Sequence, residues 1–278
     1  MARNRGESIA NVLAHVILIL GSIAMAAPFV WMISGSLKSL GELFLYPPRW
    51  IPKYWAWKNY IRIWSIAPFA RYFFNSFEIT ILGTVGQILS CSLAAFAFAR
   101  LRFKGREVIF VILLATLMLP FQLTIIPVFY IMFKLGWIDT HLPLIIPAFC
   151  GGAYGTFLIR QFFMTIPQEL DDAAKIDGCS PFRIFSFIYF PLSKPVLATL
   201  AVFNFMWRWN DLYGPLLFLH SPAKMTVTVG ISAIQGQYWS DIPLLMAGSL
   251  ISLVPTIALF LVMQRYFIQG VVLSGIKG

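Results

Sequence analysis

Charge is what this chain has least of. Only 12% of its 278 residues are Asp, Glu, Lys or Arg, while 59% are hydrophobic. A soluble globular surface needs about a quarter charged residues, so a water-soluble domain is excluded. Histidine and cysteine are scarce too, at three each. His15, His141 and His220 lie far apart, no H-E-x-x-H occurs and no Cys/His cluster forms, so no metal site is expected. Cys91, Cys150 and Cys179 are odd in number, and two sit within apolar runs, so they read as reduced packing residues rather than a disulfide framework. No G-x-x-x-x-G-K-S/T phosphate loop is present, and Leu273-Ser274-Gly275 lacks the rest of an ATPase signature, which excludes ATP hydrolysis by this chain. No G-x-S-x-G nucleophile elbow occurs either.

What the chain does have is long apolar runs, with a mean hydropathy of +0.79. The first extends from Ile9 to Gly35. Ala24-Met25-Ala26 resembles a signal-peptide cleavage site, but the run continues through Pro28 to Ile33 and is too long for such a leader, so a first transmembrane helix is expected. Five more runs lie near Phe73 to Ala99, Val108 to Phe133, Leu142 to Phe163, Val196 to Leu219 and Pro243 to Phe267. Each reaches the roughly 20 residues that cross a hydrocarbon core. The expectation is an all-α membrane protein of six transmembrane helices, one transmembrane domain over residues 1–278, with kinks at Pro120, Pro127, Pro147, Pro215 and Pro255.

The net charge of +10 is spread among loops rather than gathered on one face, which points to membrane orientation and not to nucleic acid. Arg100, Arg102, Lys104 and Arg106 crowd one short loop. Setting that loop inside groups them with Arg3, Arg5, Arg160, Lys175, Arg183, Lys194, Arg265 and Lys277, and makes both termini cytoplasmic. The outside set is Lys38, Arg49, Lys53, Lys58, Arg62, Arg71, Lys134 and Lys224, mostly in the long loop Ser34 to Tyr72. Trp50, Tyr54, Trp55, Trp57 and Tyr60 in that loop suit either an aromatic belt at the headgroup level or a partner surface. The loop His220 to Asp241, with Tyr238 and Trp239, reads as a turn or as a contact for a soluble donor protein. Gly151 and Gly155 have the spacing of a helix-packing pair.

Two segments carry polar groups with a purpose. Asn204, Arg208, Trp209, Asn210 and Asp211 fall in the fifth apolar run, where ionisable groups are costly and mark a solute path or an interhelical polar contact. Arg208 and Asp211, three residues apart, can pair or face a wet cavity. The other segment, 165–195, cannot lie in a membrane: Glu169, Asp171, Asp172, Lys175, Asp177, Arg183 and Lys194 all fall within it. Pro167 suits a first helical turn, and Glu169, Asp171 and Asp172 put negative charge where the helix dipole favours it. Gly178 is the natural stop. Phe182, Phe185, Ile188 and Tyr189 then form a second apolar stripe, so two short helices joined by a bend are expected between the fourth and fifth spans.

The order DDAAKIDG followed by PLSKP resembles the EAA motif of bacterial ABC importer permeases. Asp172 stands at the Glu of that motif, Ala173 and Ala174 at its alanines and Gly178 at its glycine; Asp172 is one methylene shorter than Glu, and Cys179 replaces a common alanine. PPRW in the long loop, Trp209-Asn210-Asp211 and the C-terminal QRYFIQGVVLSGIKG extend the resemblance to the smaller permease of maltose-type importers. It implies a bacterial cytoplasmic-membrane subunit that imports a sugar. It also implies a second related permease, two ATPase subunits that bind ATP and Mg in place of this chain, an extracytoplasmic sugar-binding protein, and coupling through Glu169, Asp172, Ala173, Ala174, Asp177 and Gly178. A glycerol-phosphate permease is the alternative. An ion-coupled transporter has only Asp211 to draw on and shows no internal repeat. An integral-membrane enzyme lacks a clustered catalytic set.

Overall fold

The computed structural model describes residues 5–237 and 241–275, so Arg3, Lys277, Tyr238 and Trp239 lie outside the described residues, as do the side chains of Arg5, Gln237 and Arg265. Every regular element among the described residues is helical. α1 (Arg5–Ser36) is followed by the short α2 (Leu40–Leu43), α3 (Lys58–Ile66) and the 32-residue α4 (Phe69–Arg100). α5 (Arg106–Ala115) tightens into a 3-10 turn, Thr116–Met118, and breaks at Pro120, whose extended backbone starts α6 (Phe121–Lys134). α7 (Leu142–Ile145) runs through a 3-10 turn, Ile146–Cys150, towards α8 (Ala153–Thr165). Next come α9 (Glu169–Ile176), α10 (Pro181–Ile184), a π turn over Phe185–Tyr189 and α11 (Phe190–Leu192). α12 (Lys194–Trp209), α13 (Tyr213–Phe218), α14 (Val227–Gln237) and α15 (Ile242–Gly275) complete the chain.

Four stretches are long and apolar enough to cross a membrane: Asn11–Ser36, Phe69–Arg100, Leu142–Thr165 and Ile242–Gln264. Two further pairs pass only when joined across a bend. Arg106–Met118 and Gln122–Lys134 meet at 105°, and Pro181–Leu192 and Lys194–Trp209 at 76°. The described residues therefore hold four to six spans. Proline explains the first bend, because it removes a helical donor and clashes with the preceding turn. The fifth apolar run departs from expectation: its helix ends at Trp209 rather than running to Leu219. Asn210 donates its side-chain amide to the Met206 carbonyl at 2.8 Å, satisfying a terminal acceptor, and Asp211 accepts the Gly214 N–H at 3.2 Å to begin α13. The loop expected over His220 to Asp241 contains a helix as well. Thr226 accepts from the Gly230 and Val229 N–H groups through its carbonyl and hydroxyl, capping α14.

The chain divides into two compact units, Met1–Phe69 with Ile231–Leu253, and Ala70–Gly230 with Val254–Gly278. In the first unit, the side-chain amide of Asn59 donates to the Ser36 and Lys38 carbonyls at 2.8 and 3.1 Å, closing the open end of α1. Lys38, expected as an outside charge, is fully buried: it donates to the Arg49 carbonyl and stands 4.4 Å from the centre of the Trp31 ring. Burial pushes its ammonium pKa down, against the opposing pull of the Glu42 carboxylate. In the second unit, Asp139 accepts from the Ser221 hydroxyl, the Ser221 and His220 N–H groups and Lys224. Those donors, the Ser221 hydroxyl foremost, hold its carboxyl well below the usual carboxylate range.

A hydrophobic core lies in the second unit. Cys91, Ala95 and Phe96 of α4 pack with Ile159 and Phe163 of α8, with Ala174, Ile184, Phe185 and Tyr189 beyond it, and with Val196, Leu197 and Leu200 of α12. Gly155 lets these helices close up, since a Cβ there would stand 2.8 Å from Cys91 Sγ and 3.1 Å from Leu200 Cδ2. Gly151 serves differently: its φ is +94° and nothing lies within 4 Å of its missing Cβ, so the two glycines do not act as a pair. Of the cysteines, Cys91 packs as expected, whereas Cys150 is exposed. Gly155→Val is expected to cost about 1–3 kcal/mol by overpacking. Thermal unfolding of the purified protein in detergent reads this as a lowered Tm, and an unchanged Tm would show that the α4–α8 contact has slack.

Candidate functional site

The acidic segment forms a helical elbow. α8 stops at Thr165, where Ile166 turns to extended backbone ahead of Pro167. α9 then opens with Glu169, Asp171 and Asp172 in its first turn and has Lys175 in its last, the arrangement its dipole favours. Gly178 ends it with φ +75°, and the Cys179 N–H returns to the Ala174 carbonyl at 2.9 Å. Ser180 caps α10, its hydroxyl accepting from the Arg183 N–H, and Pro181 takes the first helical position. The expected pair of helices with a bend at Gly178 is therefore present, and the second is longer because a π turn joins α10 to α11.

One buried polar network pins the elbow. Asp171, 5% exposed, accepts the Tyr189 hydroxyl at 2.6 Å through one carboxylate oxygen, and its other oxygen lies 3.7 Å from Arg100 Nε. Arg100 ends α4 and donates to the Phe163 carbonyl at 2.7 Å and to the Ile166 carbonyl, closing the unsatisfied end of α8. Its guanidinium also lies 5.0 Å from the Tyr189 ring centre, while that ring packs edge-on against Phe96 and Phe163. Asp171 was read from the sequence only as a dipole charge. Its signal was available in the three-residue spacing to Ala174, which is also buried, since both then lie on one face of α9.

The residues expected to couple divide around that face. Glu169, Asp172, Ala173, Asp177 and Gly178 are exposed, whereas Ala174 faces the core. The two alanines thus do different work: neighbours on a helix are about 100° apart, so one packs and one is presented. Among the described residues Asp172 pairs with Lys175 alone, at 3.1 Å, and both side chains are solvated. Beside these polar groups Ile176 is 87% and Phe182 67% exposed. The presented surface is therefore acidic and apolar together, which suits a protein groove more than water.

The second constellation sits where α12 ends. Arg208 donates to the Leu144 carbonyl at 2.9 Å and to Gln87 Oε1 at 3.4 Å, and lies against Gly83, whose missing Cβ would stand 2.6 Å from Nη1. No Arg208–Asp211 ion pair forms within 4.0 Å among the described residues, because the helix ends between them and Asp211 turns to α13 instead. Asn204 donates its amide to the Leu200 carbonyl at 3.1 Å, and Asn210 is exposed. Trp209 corrects the expectation of an open path residue. It is 1% exposed, stacked on Phe205 at 5.6 Å and edge-on to Phe73 and Phe77, so its ring fills the bundle and offers no face to a solute.

A buried polar network thus holds α9, with its exposed acidic face, on the ends of α4 and α8. Residues 88–272 match the family described as binding-protein-dependent transport system inner membrane component, and the chain belongs to that family. It is 35% identical over 274 residues to the sn-glycerol-3-phosphate transport system permease protein UgpE of Yersinia enterocolitica, a match covering 94% of this chain and 96% of that one. It is 37% identical over 221 residues to the arabinooligosaccharides transport system permease protein AraQ of Halalkalibacterium halodurans, covering 79% of each. The fold is similar to that of a chain in a bacterial ABC transporter involved in the import of the acidic polysaccharide alginate, with a TM-score of 0.84, 24% identity and coverage of 96% of this chain and 99% of that one. This chain is accordingly a multi-pass inner-membrane permease subunit of a binding-protein-dependent ABC importer, and a transport subunit rather than an enzyme.

The two adjacent aspartates make the site testable. Asp171→Ala strands Arg100 in the core and is expected to destabilise by about 3–5 kcal/mol, as removal of one partner from a buried pair does. Asp172→Ala loses only a solvated pair and is expected to stay within about 0.5 kcal/mol of wild type. Denaturation of the two variants side by side checks this, and equal losses would contradict the inward and outward assignments.

Proposed function

We propose that this chain moves a carbohydrate inward by coupling the elbow to an ATPase subunit. The observation that carries this is the exposed face of α9, held on the ends of α4 and α8 by Asp171, Tyr189 and Arg100. A docked partner that pulls on Glu169, Asp172, Ala173, Asp177 or Gly178 pulls on the bundle as well, with Ala174 as the inner anchor. In this reading two ATPase subunits bind ATP and Mg, none being held by this chain. A second permease completes the path and an extracytoplasmic binding protein delivers the cargo. Nucleotide binding then exchanges an inward-facing for an outward-facing cavity. The whole chain acts as one permease domain of six spans, with Arg106–Met118 and Gln122–Lys134 together counting as one, Lys194–Trp209 beginning the fifth beyond the elbow, and both termini cytoplasmic.

Asn204, Arg208, Asn210 and Asp211 line the path in this proposal, with Trp209 as the packed wall behind them. Arabinooligosaccharide permease AraQ supports a carbohydrate cargo, and permease UgpE supports the second reading, a glycerol phosphate. Uptake of radiolabelled sugar against glycerol phosphate by the reconstituted complex separates the two.

Gly178 tests the coupling. With φ +75° and open space around it, a side chain there is opposed by backbone strain alone, of about 1–2 kcal/mol. Gly178→Val is expected to insert and pair with the second permease yet lose ATPase co-purification and uptake, with Gly178→Asn milder because Asn tolerates that conformation. Retention of both activities in Gly178→Val would remove the elbow from the coupling path. Topology is open to cysteine labelling in a background without native cysteines. Label should reach Lys58→Cys from outside the intact cell and Lys104→Cys only after permeabilisation; outside labelling of Lys104→Cys would sink the orientation.

A further inference from the structure

The loop between α4 and α5 carries charge that the protein itself leaves unmatched. Arg102 and Lys104 are exposed and make no ion pair or hydrogen bond among the described residues. Their neighbour Arg106 is neutralised by Glu107 at 2.8 Å, and Glu107 is also reached by Arg160 at 3.5 Å, so the acid nearby is already spent. Arg102, Phe103, Gly105, Arg106, Glu107 and Val108 line an open cavity of about 530 Å³. Directly beyond it α5 turns apolar side chains outward, with Val108 64%, Val111 62% and Ile112 61% exposed, while Phe110 packs inward. In a membrane subunit such a helix face meets acyl chains, and the point where it gives way to a basic loop is the headgroup level.

We propose that this cavity is a binding site for an anionic phospholipid, whose phosphate is held by Arg102 in its lining, with Lys104 on the same loop adding positive charge, and whose chains lie along Val108, Val111 and Ile112. Charge complementarity selects an anion, because two unpaired cations on one short loop favour a phosphodiester that bears net charge over a zwitterionic headgroup. The apolar helix directly beneath selects a lipid over a soluble phosphate, which has nothing to place there.

The assembled transporter, reconstituted in phosphatidylcholine bilayers containing a minor fraction of phosphatidylglycerol and then extracted, is assayed for the lipid it retains. Wild type is expected to enrich phosphatidylglycerol over its bulk fraction. Arg102→Gln combined with Lys104→Gln is expected to lose roughly 30-fold in that preference, at about 1 kcal/mol for each basic residue near the surface. Lys53→Gln combined with Lys58→Gln removes the same charge from another loop and is expected to leave the enrichment intact. Unchanged enrichment in the first variant, or equal loss in the second, overturns the proposal. Displacement of the retained lipid by millimolar inorganic phosphate also overturns it, by assigning the cations to a soluble anion.

Discussion

A carboxylate taken out of water must find its compensation within the protein, and that constraint at Asp171 organises the working end of this molecule. An isolated buried charge costs several kcal/mol, so the native position of α9 is the one in which Tyr189 and Arg100 both meet it. Arg100 in turn is held in register by two carbonyls at the end of α8, and the Tyr189 ring by Phe96 and Phe163. Four elements thus share one polar knot inside an apolar collar, and none can shift without stranding a charge or an acceptor. Such a joint transmits displacement well, because packed interiors have alternative arrangements rather than soft gradients.

The same helix divides its neighbours between two environments. Asp171 and Ala174 point inward and Asp172 and Ala173 outward, as three-residue spacing on a helix requires. The inward residues fix where the helix sits. The outward ones, with Ile176 and Phe182, are spared the task of holding the fold.

At the end of α12 the division is different. Arg208 ties α12 to Leu144 and Gln87 and lies flush against Gly83, which makes it part of the bundle's own wiring. Asn210 and Asp211 end one helix and begin the next. A break in a membrane helix exposes backbone groups that must be satisfied locally, and these polar side chains do that.

Hydropathy and spacing were enough to read an all-helical membrane chain and an acidic elbow with a turn at Gly178, because each depends on properties local to a few turns. Pro120 announced its own bend for the same reason. Helix α14 was not legible, because Val227, Val229 and Ile231 alternate as strand residues do and its glycine and polar residues read as loop. Which aspartate turns inward, whether Trp209 faces a path or fills the core, and where Lys38 finds its partners were decided only by tertiary structure. Each of those answers depends on atoms beyond the local turns, such as Tyr189 for Asp171, Phe77 for Trp209 and Arg49 for Lys38, and a linear pattern carries no record of which groups will close around a side chain.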